Sequence, residues 1–558
     1  MSAPPRREFN VRIPMRDGAT LSADVTRPSG QDPVPAILLR TPYNKNEPRL
    51  ADLGARAAER GYAFVATDVR GRGDSDGAFD PYRADGRDGH DAIEWLAERA
   101  WCDGRVATMG GSYLGHIQWL TALERPPHLA AMIVAVTPSD PFVEWPTGTH
   151  GPMHLCWFRL VDGRLAQNVA PVDWMRAYEH LPLATMDEAA GFHCAHWRRD
   201  LEHPTLDDHW EPLRYQHRLG EVDLPVLHVS GWYDDEQIGT PLNFAGMAAA
   251  APTERARRGQ RLLMGPWGHQ VNRDRRLGDV DFGPDAVIDL EGAQFRFLDH
   301  FVKGEDNGVG GEPPVRIFVM GANVWRDEEA WPLPDTVWTP FHLRSGGAAN
   351  SRFGDGTLSM ESPAADESPD VYLSDPAHPV PFLTSPTSDQ IGGPDDYAAV
   401  EQRGDVLVYS TEVLGEDLEV TGPVRLELFA SSSALDTDFA AKLVDVHPGG
   451  FCQRLCDGIV RARYREGMDR EIPLVPGEVA RMEVDLWNTS HVFRAGHRIR
   501  LEVASSAFPK YDRNLQTGEP LATGTRMEVA ENRVWHTPSW PSRLILPVIP
   551  AGRAGARP

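Results

Sequence analysis

Cysteine is scarce in this chain. Five residues (Cys102, Cys156, Cys194, Cys452 and Cys456) are scattered through 558 positions, and a set that is odd, sparse and irregularly spaced excludes a disulfide framework and fits free thiols in a reducing compartment. Long hydrophobic runs are also missing. No stretch approaches the roughly 18 consecutive apolar residues of a membrane span, and Met1 to Arg7 lead into a polar strand-like segment with no apolar signal core. The expectation is a cytoplasmic protein without a membrane partner. Positive charge is in deficit as well: 56 Lys and Arg stand against 81 Asp and Glu, a formal charge of -25. A phosphate backbone needs a basic face, so nucleic acid is excluded as a partner. Disorder is excluded by the opposite kind of count, since 41% of residues are hydrophobic and 16 are Trp.

A chain of this length exceeds a single hydrophobic core, and the pattern changes along it. Up to about residue 140, short apolar runs alternate with helical spacing. Pro35 to Arg40, Tyr62 to Asp68 and Arg105 to Met109 read as strands buried on both faces, with the helical pattern Asp91 to Ala97 crossing between the last two. Residues 141–220 lose the strand runs and carry Trp, His and Met in helical segments, as an inserted cap would. Strand character resumes at Leu224 to Ser230 and continues to about residue 332, where Pro332 and Pro334 mark a boundary. From residue 333 to 558 short alternating strands separated by Gly, Pro and Asp turns predict a β-sandwich or jelly roll; segments such as Val424 to Ala430 and Ile499 to Ala504 are expected to turn one face to a core and the other to water. The expected fold class is α/β, an α/β-hydrolase domain with a helical cap and a C-terminal β jelly roll.

One constellation carries chemistry. Met109-Gly110-Gly111-Ser112-Tyr113-Leu114-Gly115 follows a strand and opens a helix, the setting of a nucleophile elbow, where the Tyr113 backbone N–H points at a developing oxyanion. The spacing departs from the common motif: the glycine stands three positions after the serine. Asp234 follows the strand ending at Ser230, and His269 follows the strand Arg261 to Met264. Serine, acid, then histidine, each past a strand end, is the chain order of this fold. Ser112 is the expected nucleophile, His269 the base and Asp234 the group that orients it.

These motifs bring a resemblance with them. Gly-x-Ser-Tyr-x-Gly at Ser112, Gly-Trp-Tyr-Asp at Asp234 and Gly-Pro-Trp-Gly-His at His269 resemble the cocaine esterase and X-prolyl dipeptidyl peptidase family. So do Met15-Arg16-Asp17-Gly18, Asp68 to Ser75 and Trp101 to Val106, and the late segments Lys442 to Val446, Ile459 to Arg465 and Phe493 to Ile499 look like its C-terminal jelly roll. The resemblance implies a second oxyanion donor, because Arg40-Thr41-Pro42-Tyr43 matches the motif in which that family's tyrosine hydroxyl plays this part. It also implies that position 236 faces substrate. Asp234-Asp235-Glu236-Gln237 partly matches the Asp-x-Glu-Asp of similar α-amino-acid ester hydrolases, so Glu236 either selects an amine-bearing acyl group, or turns outward or pairs with an arginine.

Trp145 and Trp157 in the cap are candidates for an apolar acyl pocket, beside Phe158, Trp174 and Trp197. The His-rich stretch His193 to Trp197 lacks a second ligand pair at structural spacing, and neither a metal nor another cofactor is expected. The expected activity is cleavage of a small-molecule ester or amide through an acyl-enzyme. Alternatives are a dipeptidyl peptidase or aminoacyl ester hydrolase that recognises a free amine, an acyltransferase, and a non-catalytic scaffold, which would have no use for Ser112, Asp234, His269 and Tyr43 together. Sequence leaves homo-oligomerisation open.

Overall fold

The structure is a computed structural model in which residues 4–551 are described. Residues 1–3 and 552–558, the outer ends of the first and last segments above, lie outside the described residues. The chain runs β1 Arg6–Pro14, β2 Thr20–Arg27, β3 Val34–Thr41, α1 Pro48–Glu59, β4 Ala63–Asp68, α2 Asp85–Ala97, β5 Cys102–Gly111, α3 Tyr113–Leu123 and β6 Leu129–Ala135. Short helices follow: α4 His154–Leu160, α5 Trp174–Tyr178, α6 Met186–Ala189 and α7 Ala195–Leu201. Then come β7 Val226–Gly231, α8 Gly239–Ala250, β8 Gln260–Gly265, a small ribbon of β9 Arg276–Leu277 and β10 Val280–Asp281, and finally β11 Val315–Val319 and β12 Val324–Glu328.

Ten of these strands form one sheet in the order β1-β2-β4-β3-β5-β6-β7-β8-β11-β12. From β4 to β11 every neighbouring pair is parallel. Burial explains the apolar runs: all of β4, β7 and β8 and nearly all of β3 are buried, since helices cover both faces. Helix α3 is buried from Tyr113 through Ala122, which is why its sequence is apolar all round rather than amphipathic. The strand order reverses between β3 and β5, and this topological switch opens a crevice at the carboxyl ends of the strands. Tyr43 follows β3 and Ser112 follows β5, so the two flank that crevice. Strands β6, β11 and β12 were not singled out by the sequence pattern.

The segment between β6 and β7 packs its short helices around Met153, Leu155, Trp174 and Trp197 in a core of its own. The remaining strands are β13 Val337–Arg344, β14 Thr357–Ser359, β15 Asp370–Ser374, β16 Leu407–Ser410, β17 Leu418–Ser432, β18 Asp438–Val446, β19 Cys452–Arg461, β20 Ala480–Phe493, β21 Arg498–Ala504, β22 Ala530–Trp535 and β23 Arg543–Ile549. All are linked by hydrogen-bonded pairing into a second, mainly antiparallel system, whose core includes Leu426, Leu428, Phe439, Leu501 and Leu544.

One expectation needs correction. The Arg-x-Glu-x segment of β21 does not put its polar face in water, because Arg500 and Glu502 are 7% and 1% exposed. Arg500 donates to Glu401 and Glu502 faces Lys442 at 3.6 Å, so opposite charges rather than water meet this face. β18 and β19 are likewise buried along their whole length. At the end of β19, Arg461 pairs with Asp438 and Asp512 and donates to the Thr147 carbonyl at 3.0 Å, tying this domain to the cap segment.

Candidate active site

Ser112 sits on the turn between β5 and α3 with φ 59° and ψ -132°. A non-glycine residue in this region is strained by about 1–3 kcal/mol. Hydrogen bonds hold it there: its amide donates to the Ala135 and Val136 carbonyls at 3.0 and 2.9 Å, and its carbonyl accepts from Gly115 and His116. The displaced glycine of the motif has a steric cause. A Cβ on Gly115 would lie 2.2 Å from Thr137 Oγ1 and 3.1 Å from the Ala135 carbonyl oxygen, so only glycine lets α3 settle this close to the end of β6. Tyr113 is the first residue of α3, where an amide has no partner within the helix. Its ring stacks on Tyr82 at 4.5 Å and its hydroxyl donates to buried Asp85, which fixes the residue while the backbone N–H stays available.

Asp234 and His269 meet as the sequence anticipates. Asp234 Oδ1 lies 2.8 Å from His269 Nδ1, while Oδ2 accepts from the Ser230 hydroxyl at 2.7 Å. Bonding at Nδ1 leaves Nε2 as the nitrogen that can exchange a proton with a nucleophile. No hydrogen bond joins Ser112 to His269 among the described residues. Ser112, His269 and Tyr43 all line one cavity of 690 Å³. Such catalytic contacts commonly tighten only when substrate binds.

Tyr43 is held from the cap. The Trp157 indole N–H donates to the Tyr43 hydroxyl oxygen at 3.1 Å. Burial pushes the phenol up to about 12, so it is protonated at neutral pH, and with Trp157 already donating, its own proton is the one left to give. Trp157 and Trp145 both line the cavity, Trp145 lying edge-on to His150 with ring centroids 4.3 Å apart. Trp174 and Trp197 are not among the lining residues and belong to the cap core.

Three carboxylates crowd the imidazole. Glu236 and Asp235 line the cavity beside His269, and Glu144, 5% exposed, reaches it from the cap with its Oε2 accepting from Ser139 N. Glu236 Oε2 and Asp235 Oδ1 are buried without a hydrogen bond. Burial, reinforced by mutual repulsion, raises all three, Asp235 to about 6 and the other two well above the usual carboxylate range. For His269, burial acts to lower the pKa, but Glu236, Asp234 and Asp235 outweigh it and the net direction is upward.

Residues 17–271 match the model of the X-Pro dipeptidyl-peptidase (S15 family), and residues 307–545 match that of the X-Pro dipeptidyl-peptidase C-terminal non-catalytic domain. The cocaine esterase of Rhodococcus sp. (strain MB1 Bresler) is 39% identical over 97% of this chain and 98% of its own length. This chain belongs to the S15 family. Two solved structures share the fold with TM-scores of 0.85: an aminopeptidase from a marine sediment Thaumarchaeota archaeon, 29% identical, covering 98% of this chain and 96% of its own, and an α-amino acid ester hydrolase, 28% identical, covering 98% and 97%. As in those relatives, an N-terminal catalytic part precedes a strand-rich C-terminal part.

Sequence reasoning missed two residues at this S15 site. Glu144 lies 90 positions before Asp234, in a segment without motif character. Gln390 comes from the C-terminal domain: its Oε1 accepts from the His269 amide at 2.9 Å, and its Nε2 donates to the Tyr233 and Gly392 carbonyls. A Cβ on Gly268 would lie 1.9 Å from that oxygen. The glycine before the histidine was therefore a legible signal for a close neighbour, although not for its identity.

Proposed function

We propose that this chain cleaves an ester or amide of a small molecule through an acyl-enzyme on Ser112. Family membership makes it a serine hydrolase. The observation that carries the assignment of residues is the 2.8 Å Asp234–His269 pair facing the same cavity as a serine on a strained strand-to-helix turn. His269 Nε2 takes the Ser112 proton as Oγ attacks the carbonyl carbon. The negative charge that develops on the carbonyl oxygen is met by the Tyr43 hydroxyl and the Tyr113 N–H, donors fixed before the reaction begins. The imidazolium, stabilised by Asp234, then protonates the leaving alcohol or amine, and water hydrolyses the acyl-enzyme by the same steps in reverse. The cavity volume suits a small-molecule substrate. A fluorophosphonate probe tests the nucleophile: labelling of one equivalent, mapped to the Ser112 peptide and lost in Ser112→Ala, is expected; equal labelling of Ser112→Ala would refute it.

A second reading concerns the substrate. No ion pair to Glu236 is found among the described residues, and its Oε2 stands unsatisfied, so the arginine alternative has no support. An ammonium group on the acyl portion would offset the charge of Glu236 and Glu144, and a solved relative is an α-amino acid ester hydrolase. Glu236→Gln is expected to raise KM for aminoacyl esters at least roughly tenfold while leaving neutral esters near wild type; equal effects would discard this specificity.

The finer architecture is also our reading. A jelly roll is supported by antiparallel pairing of β17 with β20, β22 and β23 and of β18 with β19 and β21. The domain limit at 332 is supported by the end of the first sheet at Glu328 and the start of the second at Val337, and those at 140 and 220 by the end of β6 at Ala135 and the start of β7 at Val226. A reducing, cytoplasmic setting is supported by five unpaired cysteines.

A further inference from the structure

The second sheet system brings together side chains that the hydrolytic chemistry does not use. Asp445 near the end of β18, His447 just beyond it and His497 just before β21 each offer one ligand atom, and the three atoms lie within 4.8 Å of one another. His497 Nδ1 is 2.9 and 3.0 Å from the two Asp445 oxygens, His447 Nε2 is 3.6 Å from Oδ2, and the two imidazole centroids are 4.4 Å apart. In a tetrahedral zinc site with bonds near 2.0–2.1 Å, neighbouring ligand atoms stand about 3.3 Å apart. The observed separations straddle that value.

We propose that His447 Nε2, His497 Nδ1 and a carboxylate oxygen of Asp445 form a binding site for a divalent transition-metal ion of the zinc class. Two imidazoles and one carboxylate select such an ion over calcium or magnesium, which prefer all-oxygen shells. Asp445 also accepts from His491 Nε2 at 2.9 Å, an outer partner of the kind that orients a metal-binding carboxylate. Gln453 Oε1, 3.2 Å from His447 Nε2, is an oxygen within reach of a fourth position. Side-chain exposures of 33% for His447 and 14% for His497 provide an entry path.

The location suggests a structural consequence. The Gln453 amide donates to the Tyr233 hydroxyl, next to Asp234 in sequence, and β20 exchanges backbone bonds with Met320 on either side of His491. An ion here would therefore brace the C-terminal sheet against the catalytic domain. Asp234, Asp235 and His269 form another cluster of ligating atoms, so zinc must be counted at both places. After dialysis against chelator, calorimetric titration with zinc chloride should find a site that persists in His269→Gln and weakens at least roughly tenfold in His447→Gln and in His497→Gln. Zinc should also raise the unfolding temperature of wild type and His269→Gln by several degrees but not that of His447→Gln. Because His447 is partly exposed, His447→Gln is the variant expected to fold, checked by far-ultraviolet circular dichroism; cobalt(II) bound to the wild type should give the visible bands of tetrahedral coordination. Wild-type-like zinc binding by both histidine variants, or zinc binding that depends wholly on His269, would overturn the assignment.

Discussion

At the residue scale, rate and pH dependence are set by a few donors and charges around His269. Tyr43→Phe removes one of the two proposed oxyanion donors and should lower kcat about 100- to 1,000-fold with little change in KM, since the interaction strengthens only as charge develops. Trp157→Phe keeps the aromatic surface but deletes the N–H that orients Tyr43. It should lower kcat by several-fold, the worth of about 1 kcal/mol, and should add little once Tyr43 is already Phe; steady-state kinetics of the two single variants and the double variant check both points. Electrostatics give a signed prediction. The Glu236 carboxylate favours the imidazolium of His269 and so raises its pKa; neutralising it in Glu236→Gln lowers that pKa, and the acid limb of kcat/KM against pH moves to lower pH. A limb that stays in place or moves upward contradicts the cluster description. The proposed triad could be put forward from sequence because each member follows a strand end within a short motif. Tyr43 was legible only through family resemblance, because a tyrosine after a strand has no distinguishing local pattern.

At the scale of elements, the elbow depends on how closely α3 approaches β6. Gly115→Ala would force its Cβ against Thr137 Oγ1, so it should destabilise the protein by about 1–3 kcal/mol and reduce activity by shifting Ser112. Thr137→Ala in the same chain should recover part of both losses, because it removes the obstructing hydroxyl; additive losses, measured by denaturant unfolding, would place the clash elsewhere. Buried strands were easily read from sequence, since a parallel sheet covered on both faces leaves continuous apolar runs. The polar face of β21 was misread because alternation reports which residues share a face but not whether water or a paired charge covers it, and here Glu401 and Lys442 do so.

For the whole molecule, the site is assembled from parts far apart in sequence. The first sheet supplies the proposed nucleophile, acid and base, the cap segment supplies Trp157 and Glu144, and the C-terminal domain supplies Gln390, 121 positions beyond the backbone it holds. Such long-range partners carry no local signature, which is why sequence patterns revealed the chemistry but not its supports. Gln390→Leu should leave the His269 amide and the Tyr233 and Gly392 carbonyls without their partner and lower kcat roughly tenfold. The reaction itself is tested most directly by rapid-quench kinetics with an activated p-nitrophenyl ester. A burst of one p-nitrophenol per active site is expected, together with an acyl mass increment on the peptide containing Ser112. An acyl group on any other residue, or wild-type turnover by Ser112→Ala, would contradict acyl transfer through this serine.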